Sequence, residues 1–159
     1  MSARDRRIRQ LKFIATIFEH SLLEIADTLG YEALTMIFRR VGERVGETVA
    51  KRLEGRHSSV EQFCDLLVHD VINPVIGGEG SCDHLGGGRV LIKLGACPYK
   101  KAAGFPVRDM SWFCDYTEGL IDAAFGRAFP EANLTVRLDE SIARNDGCQT
   151  CRFSVGPKD

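Results

Sequence analysis

Apolar residues recur every three or four positions from Ile8 to Leu29, a spacing that commits the start of the chain to a long helix. Leu11, Ile14, Phe18, Leu22, Ile25 and Leu29 share one face, and Gly30 stops it. A second helix is expected from about Tyr31 to Leu53, striped by Leu34, Ile37, Val41, Val45 and Val49. Gly42, Gly46 and Ala50 recur every four residues beside that stripe. Each glycine costs a helix about 1 kcal/mol relative to alanine. Two at this spacing point to another backbone packed closely on this face. "RHSSVEQFCDLLVHDVINP" predicts a third helix, with Ser58 and Glu61 at capping-box spacing and Pro74 past its end.

The texture then changes. "VIGGEGSCDHLGGG" is too glycine-rich for a helix and reads as a turn between strands. It has no lysine after its glycines, so it is not a phosphate loop. "RVLIKLGACP" is a strand, and "DMSWFCDYTEGLIDAAFGRAFP" a fourth helix closed by Pro130. "NLTVRLDES" alternates Leu134, Val136 and Leu138 against polar neighbours, and "CRFSV" alternates Cys151, Phe153 and Val155. The expected class is α+β: N-terminal helices packed on a small antiparallel sheet, with a further helix before a C-terminal hairpin.

With 159 residues and 44% hydrophobic content, residues 1–159 suit a single domain whose core needs no disulfide staples. A net charge of -1 offers nothing to nucleic acid or an anionic membrane. No apolar run approaches the roughly 20 residues of a membrane span, and the basic opening "SARDRRIRQLK" is not a secretory signal. A cytoplasmic protein is expected.

Six cysteines, at 64, 82, 97, 114, 148 and 151, call for an explanation. In a cytoplasmic chain, metal binding or thiol chemistry is favoured over a disulfide framework. The C-x-x-C of Cys148 and Cys151 precedes a strand, not a helix whose dipole would activate a thiol, so a metal knuckle fits better than thioredoxin-like exchange. Two further ligands are needed, and Cys97 and Cys114 are the candidates. The four thiols would hold zinc or, alternatively, an iron-sulfur cluster. Packing as small buried hydrophobes is the competing reading for Cys97 and Cys114.

Cys64 sits mid-helix and is expected to pack in the core. Cys82 and His84, in "CDH", are either a second metal pair, a lid ligand or exposed loop groups. His69 follows Asp65 by four residues, so one helical face would carry both, either as an oriented base or, more commonly, as a surface pair. Asp115 and Glu118 are similarly spaced. No nucleophile–base set or paired-histidine motif stands out.

The second half resembles the 4-vinyl reductase domain family. The resemblance is carried by Cys114, Gly119, Glu140, Gly147, Cys151, Arg152 and Phe153, within about sixty residues from Cys97 to Phe153. The chain departs from the pattern at Ala143, where a cysteine is frequent, and at Cys148, which replaces an aspartate. The resemblance implies a fold like that of the vesicle-tethering TRAPP subunits, a homodimer and an apolar pocket. It implies either a sensory module for hydrophobic or aromatic compounds, or an enzyme: a vinyl reductase or a hydrolase of a cyclic thiazoline amino acid.

The expected function is therefore binding or sensing of a hydrophobic small molecule beside a metal held by Cys97, Cys114, Cys148 and Cys151. Phe105, Trp112, Phe113, Tyr116 and Phe125 would line the pocket. A small face on the second helix would suit a dimer contact. The alternatives are a metal- or iron-sulfur-dependent enzyme, with His69, His84 or Glu118 moving protons, and an interaction subunit docking through its basic N-terminus.

Overall fold

The computed structural model describes residues 2–97, 111–144 and 148–158. Phe105 and Gly147 lie outside them. Helix α1 (Ala3–Leu29) opens on a reciprocal cap between Ser2 and Asp5. Gly30, at φ 83°, ends α1 and starts α2 (Tyr31–Leu53). Helix α3 (Val60–Leu66) widens into a π segment (Leu67–Ile72) and runs on into α4 (Asn73–Ile76). Strands β1 (Gly80–Gly86) and β2 (Arg89–Leu94) form a hairpin. Gly86, Gly87 and Gly88 all take positive φ at its turn, a conformation that favours glycine. Helix α5 (Ser111–Ala128) precedes β3 (Leu134–Glu140) and β4 (Cys151–Pro157). The sheet is antiparallel in the order β1-β2-β4-β3. The α+β architecture expected from the sequence is the one observed.

Two apolar cores follow from this layout. The larger lies between the sheet and the helices, with Phe63, Leu67, Val90, Ile92, Ile121, Phe125 and Phe153 almost fully buried. The smaller joins Leu22 and Ala26 of α1, Leu34 and Phe38 of α2, and Trp112 and Phe113 of α5. Outside it, the α1 stripe is uncovered: Leu11, Ile14 and Phe18 are 59%, 60% and 48% exposed.

Helix α2 packs on α5 through its glycines. A Cβ built on Gly46 would lie 2.2 Å from the Leu120 carbonyl oxygen, and one on Gly119 2.5 Å from that of Arg39. The close backbone approach expected for this face is therefore real. Its partner is α5 of the same chain, so the face is not available for the dimer contact assigned to it.

Three local expectations need correction. "GSCDHLG" is strand β1, not turn, because its backbone pairs with β2 from Gly80↔Leu94 to Gly86↔Arg89. The cap of α3 is Ser59, whose hydroxyl accepts from the Gln62 N–H, while Ser58 bonds the Gln62 side chain. Asp65 and His69 do not pair. The π segment breaks the four-residue stacking of an α-helix, and His69 Nδ1 lies 3.4 Å from Asn73 Nδ2 while Asp65 turns to His84.

Candidate functional site: an apolar groove and a thiol cluster

Helices α2, α4 and α5 and the π segment enclose a half-open groove of about 820 Å³. Val41, Val45 and Val49 form one wall, Val71, Ile72, Pro74 and Val75 the second, and Tyr116, Thr117 and Leu120 the third. The wide π turn presents Asp70 and Val71 to this space while Leu67 and Val68 stay in the core. Polar groups stand among these walls. Asp70 is held by Arg56 at 2.6 Å. Arg44 and Arg52 also line the groove, and their guanidiniums have no ion-pair partner among the described residues. The volume falls within the range usual for small-molecule sites.

The expected pocket aromatics are divided. Tyr116 lines the groove, and burial raises its phenol pKa. Trp112 and Phe113 stack at 3.9 Å and both meet Phe38 edge-on, in the smaller core. Phe125 packs against Phe63 in the larger core. Trp112 is 1% exposed, and its Nε1–H has no partner among the described residues. Such orphan donors are uncommon in folded proteins.

Three of the four expected metal-binding thiols gather at one end of the sheet. Cys97 follows β2, Cys114 lies on the first turn of α5, and Cys151 opens β4 opposite Leu94; all three are buried. Cys114 Sγ is 3.0 Å from Ser141 Oγ, and the Ile142 N–H donates to Cys151 Sγ. Burial drives the Cys114 thiol up to about 11 against the Ser141 contact, with smaller upward contributions from Cys151 and Cys97. Cys151 is raised for the same first reason. Cys148 stands at the rim. It donates to the Thr150 carbonyl at 2.9 Å and lies 3.8 Å from Glu140 Oε2. Among the described residues, these thiols do not bring three ligand atoms within 4.8 Å of one another.

Cys64 and Cys82 behave differently from expectation. They are joined by a disulfide that ties α3 to β1 across 6.4 Å between Cα atoms. Core packing for Cys64 is correct as to burial but incomplete as to chemistry. For this pair the bond overturns the preference for metal or thiol chemistry over disulfides, which rested on the expected compartment and core size. As a strand, "CDH" puts Cys82 and His84 on one face, two residues apart. His84 Nε2 meets Asp65 Oδ1 at 3.1 Å. The remaining polar candidates sit in separate pairs: Glu118 with Arg39 at 3.7 Å, and Asp115 with Arg144 at 3.1 Å.

No protein-family profile and no curated protein matches the sequence. Solved structures do match the fold. A trafficking protein particle complex subunit 3 from Naegleria fowleri, covalently bound to palmitic acid, is similar over 92% of this chain and 94% of its own, at TM-score 0.62 and 11% identity. The phenol-responsive sensory domain of the transcription activator PoxR, with phenol, is similar over 89% of this chain and 73% of its own, at TM-score 0.60 and 18% identity. The chain shares a fold with both. Among the described residues, no helix is long and apolar enough to cross a membrane.

Proposed function

We propose that this chain binds an apolar small molecule and acts as a sensor or carrier of it. The observation that carries the reading is the apolar groove of about 820 Å³ whose lining includes Arg44 and Arg52, two guanidiniums with no ion-pair partner among the described residues. An apolar acid would lay its hydrocarbon along the valines and Leu120 and bring its carboxylate to arginine, which pairs well with that group. The two fold neighbours, one carrying palmitic acid and one phenol, support a small-molecule role. A hydroxylated aromatic is the second candidate, because one of the two fold neighbours carries phenol.

The metal belongs to the same proposal. Cys97, Cys114, Cys148 and Cys151 would hold zinc, which would fasten β4 to the start of α5; an iron-sulfur cluster is the alternative. Dimerisation would cover the exposed stripe of Leu11, Ile14 and Phe18 on α1. Calorimetric titration with a long-chain fatty acid and with phenol tests the ligand. Saturable binding of the acid that is lost in Arg44→Ala/Arg52→Ala supports the groove. Binding of neither compound defeats the reading. Elemental analysis and sedimentation decide the metal and the dimer.

A further inference from the structure

The Cys64–Cys82 disulfide lies inside a cluster of metal-ligating groups. Asp65, Cys82 and His84 bring a carboxylate oxygen, a sulfur and an imidazole nitrogen within 4.8 Å of one another. The second sulfur, from Cys64, is bonded to Cys82 at the same place. Two elements hold the set: Cys64 and Asp65 are neighbours on α3, and Cys82 and His84 share one face of β1. That strand is an edge of the sheet. The Asp65 and His84 side chains are 43% and 46% exposed, so an ion can reach them from solvent. Cys64, by contrast, is fully buried and anchors the cluster to the core. Four other cysteines are free while this pair is bonded. In a reducing compartment such a bond is usually transient.

We infer that Cys64, Asp65, Cys82 and His84 form a redox-gated zinc site, closed to metal by the disulfide and opened by its reduction. A dithiol reductant supplies two electrons and two protons. The sulfur–sulfur bond breaks, two thiols form, and the reductant closes its own disulfide. Zinc then displaces the two thiol protons to solvent and takes two thiolates, one imidazole nitrogen and one carboxylate oxygen. This is a complete tetrahedral set of donors that zinc commonly uses. Oxidation reverses the sequence: the thiolates give two electrons to the oxidant, the disulfide re-forms and zinc leaves. In either state α3 remains tied to β1, once by a covalent bond and once through the ion.

The test compares metal uptake by the whole chain with the disulfide intact and after reduction by a phosphine, using zinc by elemental analysis and cobalt by its absorbance. Thiol titration confirms each redox state. Reduction is expected to add one equivalent of metal. His84→Ala and Asp65→Asn should each lose that equivalent or weaken it at least tenfold, and both should still form the disulfide. Cys151→Ser should keep it, which separates this site from the thiols at the other end of the sheet. Equal uptake in the two redox states would overturn the inference. So would an added equivalent that survives both His84→Ala and Asp65→Asn, or a reduced chain that unfolds and takes up nothing.

Discussion

A Cβ placed on Gly42 would lie 2.1 Å from the carbonyl oxygen of Tyr116. No side chain can rotate away to relieve such a contact, because both partners are backbone. Gly42→Ala should therefore destabilise the fold by roughly 2 kcal/mol or more, in spite of the gain of about 1 kcal/mol in helix propensity. Gly126→Ala has the opposite sign. It occupies an exposed position on α5 with nothing within 4 Å, and alanine should stabilise by up to about 1 kcal/mol. Urea unfolding of the two variants checks both signs; a neutral Gly42→Ala would mean that α2 and α5 are not in backbone contact.

Asn73 clasps β1. Its Oδ1 accepts from the Gly80 N–H at 2.7 Å and its amide donates to the Gly80 carbonyl at 3.1 Å. Asn73→Ala strands both backbone groups in a partly buried place. The expected loss is about 1–3 kcal/mol, read as a lower denaturant midpoint. An unchanged midpoint would show that water replaces the clasp.

Cys114 sets a pH dependence. In the folded chain its thiol ionises at about 11, against an ordinary value of 9.0. The native state therefore keeps a proton that the unfolded chain releases. The contribution to stability is full below pH 9.0 and is lost as pH rises through the folded value. Melting temperatures of metal-free protein across that window should fall more steeply for the wild type than for Cys114→Ala. Parallel curves would place the burial effect elsewhere.

Thr48 is exposed on α2 but lines the groove. Thr48→Trp should fill the groove without entering the core, so stability should change by no more than about 0.5 kcal/mol. Affinity for a groove-bound fatty acid should drop at least tenfold. Retained affinity would move the ligand out of the groove.

Much of this fold was legible because periodicity is local. The stripes of α1 and α2, the alternation of β3 and β4, and the meaning of Gly42 and Gly46 all follow from spacing along the chain. What spacing could not supply was partnership. Gly42 announces a close neighbour, but only the tertiary arrangement identifies it as Tyr116 of the same chain. Strand β1 was missed because six glycines crowd the stretch from Val75 to Gly88, and glycine is a poor predictor of strand. With β1 went the Cys64–Cys82 bond and the His84–Asp65 contact. The π segment was invisible for another reason: "LVHDVI" is ordinary helical sequence, and its widening depends on what it packs against.

That segment has a consequence for how the chain tolerates change in length. The turns before Leu67 and after Ile72 stay in phase because the wide π geometry absorbs one extra residue. Deleting one residue between them would restore an unbroken α-helix and leave everything beyond it facing as before. Asn73 would keep Gly80, and only the bulge that presents Asp70 and Val71 to the groove would be lost. A substitution here costs one side chain, whereas a single-residue deletion would cost one wall of the groove and spare the rest of the fold.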